Sequence, residues 1–234
     1  MLNAILAGKK RGTGLQGQTL AAESAEGAED VLTATLFERL AYLPDEHFCA
    51  VMSDLLGESF GPLQEIQYWP SWSLPDGTRV EPDVVLFDGY RTVVVEAKRL
   101  DNVRQQNAAQ LSNELLAGWY LELLEDGCIL LALGGLESAL DKAEQQLQGA
   151  LRQRFLTDKA KPYKLVCKSW QALYQILQLH IQPESSNNNQ RLLDDLSACY
   201  AWHGLRTHEQ RWLKDLHPAS ITTSPTAFAA WSMK

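Results

Sequence analysis

Apolar and polar positions change period several times along this chain, and each change marks an expected element. From Glu26 the residues Leu32, Leu36, Phe37 and Leu40 recur at helical spacing until Leu43-Pro44, which predicts a helix with one buried face. Residues 46–60 read as a second helix or an irregular segment, closed by Gly57 and Gly61-Pro62. A first strand is expected at Glu65 to Trp69, then a loop or turn from Ser71 to Asp76-Gly77. The runs Val84-Val85-Leu86-Phe87 and Thr92-Val93-Val94-Val95 are continuous and β-branched, the pattern of strands buried on both faces. Asp88-Gly89 between them signals a hairpin. Next come an amphipathic helix over Asn102 to Leu124, a strand over Cys128 to Leu133 stopped by Gly134-Gly135, and a helix over 136–156. Tyr163 to Trp170 reads as a strand, and 171–182 as a helix whose Leu173, Ile176, Leu177 and Leu179 suit packing on a sheet. The order helix, three strands, helix, strand, helix, strand predicts an α/β fold with a central mixed sheet flanked by helices.

The flanks differ in composition from this core of residues 26–182. Residues 1–25 are Gly-, Ala- and Gln-rich with a basic start and read as a flexible or loosely packed arm. Gly12-Thr13-Gly14-Leu15-Gln16-Gly17 formally matches GxGxxG, yet no strand precedes it and no βαβ unit surrounds it. Residues 183–190, Pro-Glu-Ser-Ser-Asn-Asn-Asn-Gln, have the composition of a linker. A helix from Arg191 to Leu205, ended at His203-Gly204, opens a C-terminal extension over 191–234. That extension is too short to fold alone and is expected to pack on the core or on a partner.

The hairpin also carries charge where a buried sheet ordinarily has none. With a Gly89-Tyr90 loop, Asp83 falls opposite Glu96; with an Asp88-Gly89 loop, Glu96 slips by two and stays on the same face. Lys98 joins that face because side chains alternate along a strand. Facing carboxylates repel, and in a buried sheet that cost is explained by a cation between them. Carboxylate oxygen and water suit a hard divalent ion, Mg²⁺ or Mn²⁺ in its place. The plain alternative makes Glu96 and Lys98 a solvated strand end and Asp83 part of a turn after Pro82. On the first helix, Glu29 projects with Leu36 and Leu40 toward the core while Glu38 points away.

Pro82-Asp83 followed by Glu96-Ala97-Lys98 resembles the PD-(D/E)xK nuclease superfamily, whose signature is a Pro-Asp on one strand and an acidic-x-Lys on the next. The match covers the signature and its hairpin, and the order of elements agrees with the αβββαβ core of the restriction-endonuclease-like fold. The resemblance implies a metal-dependent nuclease hydrolysing phosphodiester bonds, with DNA as the expected substrate. Analogy of architecture alone suggests phage defence or restriction. Mg²⁺, with Mn²⁺ as a substitute, would be held by Asp83, Glu96 and the carbonyl of Ala97, with Lys98 orienting the attacking water. Glu29 would supply another ligand or hold a water, the plain alternative being a carboxylate favoured by the dipole at a helix N-terminus. A glutamine on the following helix reaches the site in some branches, and Gln110 or Gln106 fits that place. Gln106, Gln110 and Glu114 form an i, i+4, i+8 stripe whose default reading is an exposed face. Glu114 rather than Tyr follows Gln110 by four residues, so the QxxxY form is absent. The rival reading is a non-catalytic nucleic-acid-binding or scaffold subunit that retains the fold.

Composition bears on these readings unevenly. At 234 residues with 45% hydrophobic and 21% charged content, the chain suits one globular domain with an extension. No apolar run reaches the roughly 18 residues of a membrane span, so no membrane association is expected. In MLNAILAGKKRG the apolar residues precede the basic ones, the reverse of a secretory signal, and a cytoplasmic location is expected. Cys49, Cys128, Cys167 and Cys199 show neither zinc-ligand nor disulfide-framework spacing and read as reduced, mostly buried thiols. The net charge of −8 opposes binding a polyanion and favours the rival reading. Two basic groupings counter it: Arg152, Arg154, Lys159, Lys161, Lys164 and Lys168, and Lys98, Arg99 and Arg104 beside the hairpin. Trp69 and Trp72 could stack on bases, with core or edge packing the commoner role. His203, His208 and His217 share no metal-ligand pattern and read as surface or capping residues. A protein partner or a homo-oligomer is left open.

Overall fold

The computed structural model describes residues 28–137, 140–155, 160–181 and 186–208. The N-terminal arm with its glycine motif, Lys159, most of the first half of the linker, and the extension from 209 onward with His217 lie outside the described residues.

Two helices come first, α1 (Ala28–Ala41) and α2 (Asp45–Leu56), followed by β1 (Glu65–Tyr68). The segment read as a loop contains two short strands, β2 (Trp72–Ser73) and β3 (Arg79–Val80), paired antiparallel around a turn at Asp76-Gly77. Asp76 Oδ1 accepts the Thr78 N–H at 2.8 Å and Gly77 adopts φ 84°, which gives that turn its form. Then come β4 (Val84–Phe87), β5 (Thr92–Ala97), α3 (Ala108–Tyr120), β6 (Cys128–Leu133), α4 (Leu140–Arg154), β7 (Tyr163–Lys168), α5 (Trp170–His180) and α6 (Asn187–His203).

Five strands form one mixed sheet in the order β1-β4-β5-β6-β7, with β1, β4 and β5 antiparallel and β5, β6 and β7 parallel. Strand alternation divides the core in two. Val84, Leu86, Val93, Val95, Ile129, Leu131 and Val166 face α1, α2, α5 and α6. Val85, Val94, Leu130, Ala132, Leu165 and Cys167 face α3, α4 and the small β2-β3 sheet. With both faces covered, β5 and β6 are buried along their whole length, which accounts for the apolar runs Val93-Val94-Val95 and Cys128 to Leu133. Each such Val or Leu contributes about 2 kcal/mol by leaving water.

Several boundaries moved for local reasons. The helix expected from Asn102 begins at Ala108, capped by Asn107, whose side chain accepts the Ala109 N–H at 2.8 Å. The Asn-rich stretch read as linker runs into α6, whose first turn is capped by Ser186 accepting the Asn189 N–H at 3.1 Å. This helix lies on the core through Leu193, Leu196 and Tyr200, and Arg39 Nε of α1 donates to Asp195 at 2.6 Å. Leu179, expected to pack, is exposed on the outer face of α5. Both Trp69 and Trp72 are buried. Cys128 and Cys167 are buried and Cys49 and Cys199 half-buried, all four as free thiols. Among the described residues no helix is long and apolar enough to cross a membrane.

Candidate active site

The site is built where β4 begins and β5 ends. Phe87 pairs with Thr92 and Val84 with Val95, and Asp88 N–H bonds the Arg91 carbonyl, so the two loop residues are Gly89 and Tyr90. Gly89 takes the positive φ of 93° that this turn requires, and Asp88 Oδ1 accepts the N–H groups of Tyr90 and Arg91. One further step of that register sets Asp83 opposite Glu96. Of the two registers open from sequence, the directly facing one is present.

Asp83 and Glu96 are both buried, Glu96 at 1% exposure. Asp83 Oδ2 accepts the Ala97 N–H at 2.9 Å, and Oδ1 accepts the indole N–H of Trp69 at 3.1 Å. Glu96 Oε1 receives Lys98 Nζ at 2.6 Å and Gln110 Nε2 at 2.7 Å. Lys98 reaches Glu29 Oε1 at 3.5 Å, and Glu29 Oε2 accepts the Arg99 N–H at 2.8 Å. Four of the side chains proposed from sequence, Glu29, Lys98, Glu96 and Gln110, are therefore joined in one hydrogen-bonded group, and Asp83 meets it through the backbone N–H of Ala97, between Glu96 and Lys98.

Both glutamines weighed for the helix position are used, in different ways. Gln110 holds the Glu96 carboxylate. Gln106, in the loop before α3, donates to the backbone carbonyls of Glu96 and Gly134, each at 3.1 Å, and so ties that loop to the ends of β5 and β6. The expectation of an exposed Gln106-Gln110-Glu114 stripe is corrected: Gln106 is 9% exposed because its loop is tied to the ends of β5 and β6, and Glu114 is 0% exposed because its face of α3 lies against Glu96.

Four residues take part in the site without a role there expected from sequence, and Glu114 is the first. Its carboxylate lies against Glu96, and burial, followed by the Glu96 charge, pushes its pKa well up. Trp69 and Trp170 are two more, contributing an indole N–H to Asp83 and to the Lys98 carbonyl respectively. Asp101 is the fourth, and its carboxylate accepts the Trp170 and Gln171 N–H groups at the start of α5. A usable signal existed only for Glu114, the i+4 partner of Gln110.

Charge balance follows from this packing. Burial, then the facing Glu96, raises the Asp83 pKa well above the ordinary aspartate value. Glu96 is raised by burial despite the opposing pull of Lys98. Burial works against the Lys98 ammonium, but Glu96, Glu29 and Asp83 outweigh it and hold its pKa above the usual lysine value. Three buried carboxyl groups thus share one ammonium, and Glu96 Oε2 and both Glu114 oxygens lack a hydrogen-bond donor. The facing carboxylates of Asp83 and Glu96 supply oxygen ligands of the class a hard divalent cation takes. Among the described residues no group of three or more His, Cys, Asp or Glu side chains could hold a metal. The set that fits is Asp83, Glu96 and the Ala97 carbonyl, whose oxygens retain lone pairs beyond the hydrogen bonds named.

The basic grouping of Arg152 to Lys168 is partly engaged within the protein. Lys164 Nζ donates to the Leu56 carbonyl at 2.8 Å and pairs with Glu58 at 3.4 Å, and Arg154 Nε donates to Ser112 at 2.7 Å. His203 is buried rather than at the surface, and His208 is exposed.

No protein-family model matches the chain. No solved structure matches it significantly. The chain is 41% identical over 223 residues to the uncharacterized protein PM0110 of Pasteurella multocida (strain Pm70), a match covering 92% of this chain and 85% of that protein. Identity at that level across nearly the whole length means that this chain belongs to the same family as the Pasteurella multocida protein.

Proposed function

We propose that this protein is a metal-dependent nuclease of the PD-(D/E)xK type that hydrolyses phosphodiester bonds in DNA, in phage defence or restriction. The observation that carries the reading is the convergence of Asp83, Glu96 and Lys98 at the end of β5, with Lys98 Nζ 2.6 Å from Glu96. The order of elements around a mixed five-stranded sheet supports the restriction-endonuclease-like assignment.

Asp83, Glu96 and the Ala97 carbonyl would hold Mg²⁺ or Mn²⁺. Bound there, the ion supplies Lewis-acid charge at a phosphate oxygen and acidifies a coordinated water. Lys98 keeps its proton in the neutral range because the surrounding carboxylates raise its pKa, so it is an electrostatic partner and not a general base. Its ammonium orients the attacking water and offsets charge developing on the phosphate. Glu29 steadies that ammonium and the Arg99 backbone, and Gln110 fixes the rotamer of Glu96.

The test is incubation of wild type, Asp83→Ala and Lys98→Ala with supercoiled plasmid in Mg²⁺, Mn²⁺ and EDTA. Metal-dependent nicking or linearisation lost in both variants is expected. Cleavage retained in either variant overturns the assignment. DNA bound in EDTA but cut under no condition supports a non-catalytic binding subunit instead.

A further inference from the structure

We propose that Trp170 and Tyr200 are positioning residues for Lys98, which makes helix α6 part of the site's machinery. The inference rests on the nuclease reading given above. Pairing between β5 and β6 ends at Ala97 and Leu133, one residue before Lys98. The Lys98 N–H still reaches the Leu133 carbonyl at 2.8 Å, and the Lys98 carbonyl accepts the Trp170 indole N–H at 2.7 Å. That single donor, from a side chain with 0% exposure, is spent on the backbone of the residue carrying the ammonium.

Trp170 is itself held from two directions. Asp101 accepts its backbone N–H at 2.9 Å. Its carbonyl accepts the Tyr200 hydroxyl of α6 at 2.9 Å, and the two rings meet edge to face with centroids 6.4 Å apart. Gly134 leaves the space for this contact: a Cβ there would overlap the Lys98 carbonyl oxygen and lie 2.6 Å from Trp170 Nε1. The peptide following Lys98 is thereby fixed in orientation, and with it the direction in which the side chain leaves the strand toward Glu96. A lysine at the frayed end of a strand is otherwise free to turn away from the carboxylates.

The experiment compares Trp170→Phe, Tyr200→Phe and Tyr174→Phe in the full chain. Tyr174 packs on Tyr200 at 5.0 Å between centroids but sends its hydroxyl to the Leu193 carbonyl, outside the relay. Steady-state plasmid cleavage in Mg²⁺ is read as kcat and KM, alongside melting temperature and the ¹³C carbonyl resonance of Lys98. Trp170→Phe should lower kcat roughly 10- to 100-fold with KM within about twofold, the cost of a slightly misplaced group. Tyr200→Phe should lower kcat less, Tyr174→Phe not at all, and the Lys98 carbonyl resonance should move in Trp170→Phe. Wild-type kcat in both relay variants overturns the proposal and leaves the nuclease reading standing. Equal losses in all three variants overturn it in favour of a purely structural cluster. A wild type that cuts nothing under any metal overturns the nuclease reading itself, and the relay's catalytic purpose with it. If Trp170→Phe does not fold, Tyr200→Phe decides.

Discussion

Replacing Lys98 by Met removes one charge and retains the apolar stem that lies against Gly135. The deleted ammonium is 2.6 Å from Glu96 and 3.5 Å from Glu29, and Glu96 is 1% exposed. Breaking a buried pair from one side costs about 3–5 kcal/mol, because the other charge stays buried without compensation. Lys98 is 17% and Glu29 33% exposed at the side chain, so the lower end, about 3 kcal/mol, is expected near neutral pH. The pH dependence has a definite sign. A carboxyl whose pKa is raised by folding, as those of Glu96 and Asp83 are, loses stability as pH rises above its unfolded value near ~4. The slope is at most about 1.4 kcal/mol per pH unit per group. Deleting Lys98 raises Glu96 further, so the deficit grows from pH 5 to pH 8. In the wild type the Lys98 contribution is fully present below its unfolded value near ~10.4 and is lost only above that, outside this window. Urea denaturation followed by circular dichroism, at both pH values in EDTA and in Mg²⁺, reads all of this. Lys98→Met should have a lower midpoint than wild type, more so at pH 8, and should gain more from Mg²⁺ than wild type does. Equal midpoints at both pH values, or equal gains from Mg²⁺, would refute the charge balance described for these buried carboxylates.

Two further outcomes test packing and titration away from that pair. Gly118→Ala gains about 1 kcal/mol of helix propensity, but its methyl would lie 2.6 Å from Leu124 Cγ and 3.1 Å from Trp72 Cζ3, both buried residues. Overpacking costs about 1–3 kcal/mol, so a net loss of about 1 kcal/mol is expected by thermal melting, and a stabilised variant would contradict the packing described. Burial, then the Arg99 charge, pushes the His203 pKa down to about 4, and among the described residues neither ring nitrogen has a hydrogen-bond partner. A depressed histidine pKa leaves stability intact above the unfolded value near ~6.5 and erodes it as pH falls toward the folded one, by about 3 kcal/mol over this interval. His203→Leu should flatten the acid limb of the stability profile between pH 6 and pH 4, and an unchanged limb would place the acid sensitivity elsewhere.

Much of the fold was legible because its cues are local. The β-branched runs at Val84 and Thr92, the glycines after Leu133, and the helical spacing of Leu32, Leu36 and Leu40 each describe a segment without reference to any other. Boundaries were less legible where polar residues serve as caps, as at Asn107 and Ser186. The Asn-rich stretch looked like a linker for this reason: the same side chains that favour turns also favour the first turn of a helix.

The site divides along the same line. The amino-acid sequence by itself determined that Asp83, Glu96 and Lys98 share one face of the hairpin, since alternation along a strand is a property of the backbone and survives either loop choice. It also set Glu29 and Glu38 on opposite sides of α1 through the helical period. Only the tertiary structure decided that the loop is Gly89-Tyr90 and the carboxylates face directly, that the Gln106-Gln110-Glu114 stripe is buried, and that Trp69 and Trp170 spend their N–H groups on Asp83 and Lys98. Each of these depends on which segment covers which, and a polar residue's burial is set by distant elements packed over it, something no local period encodes.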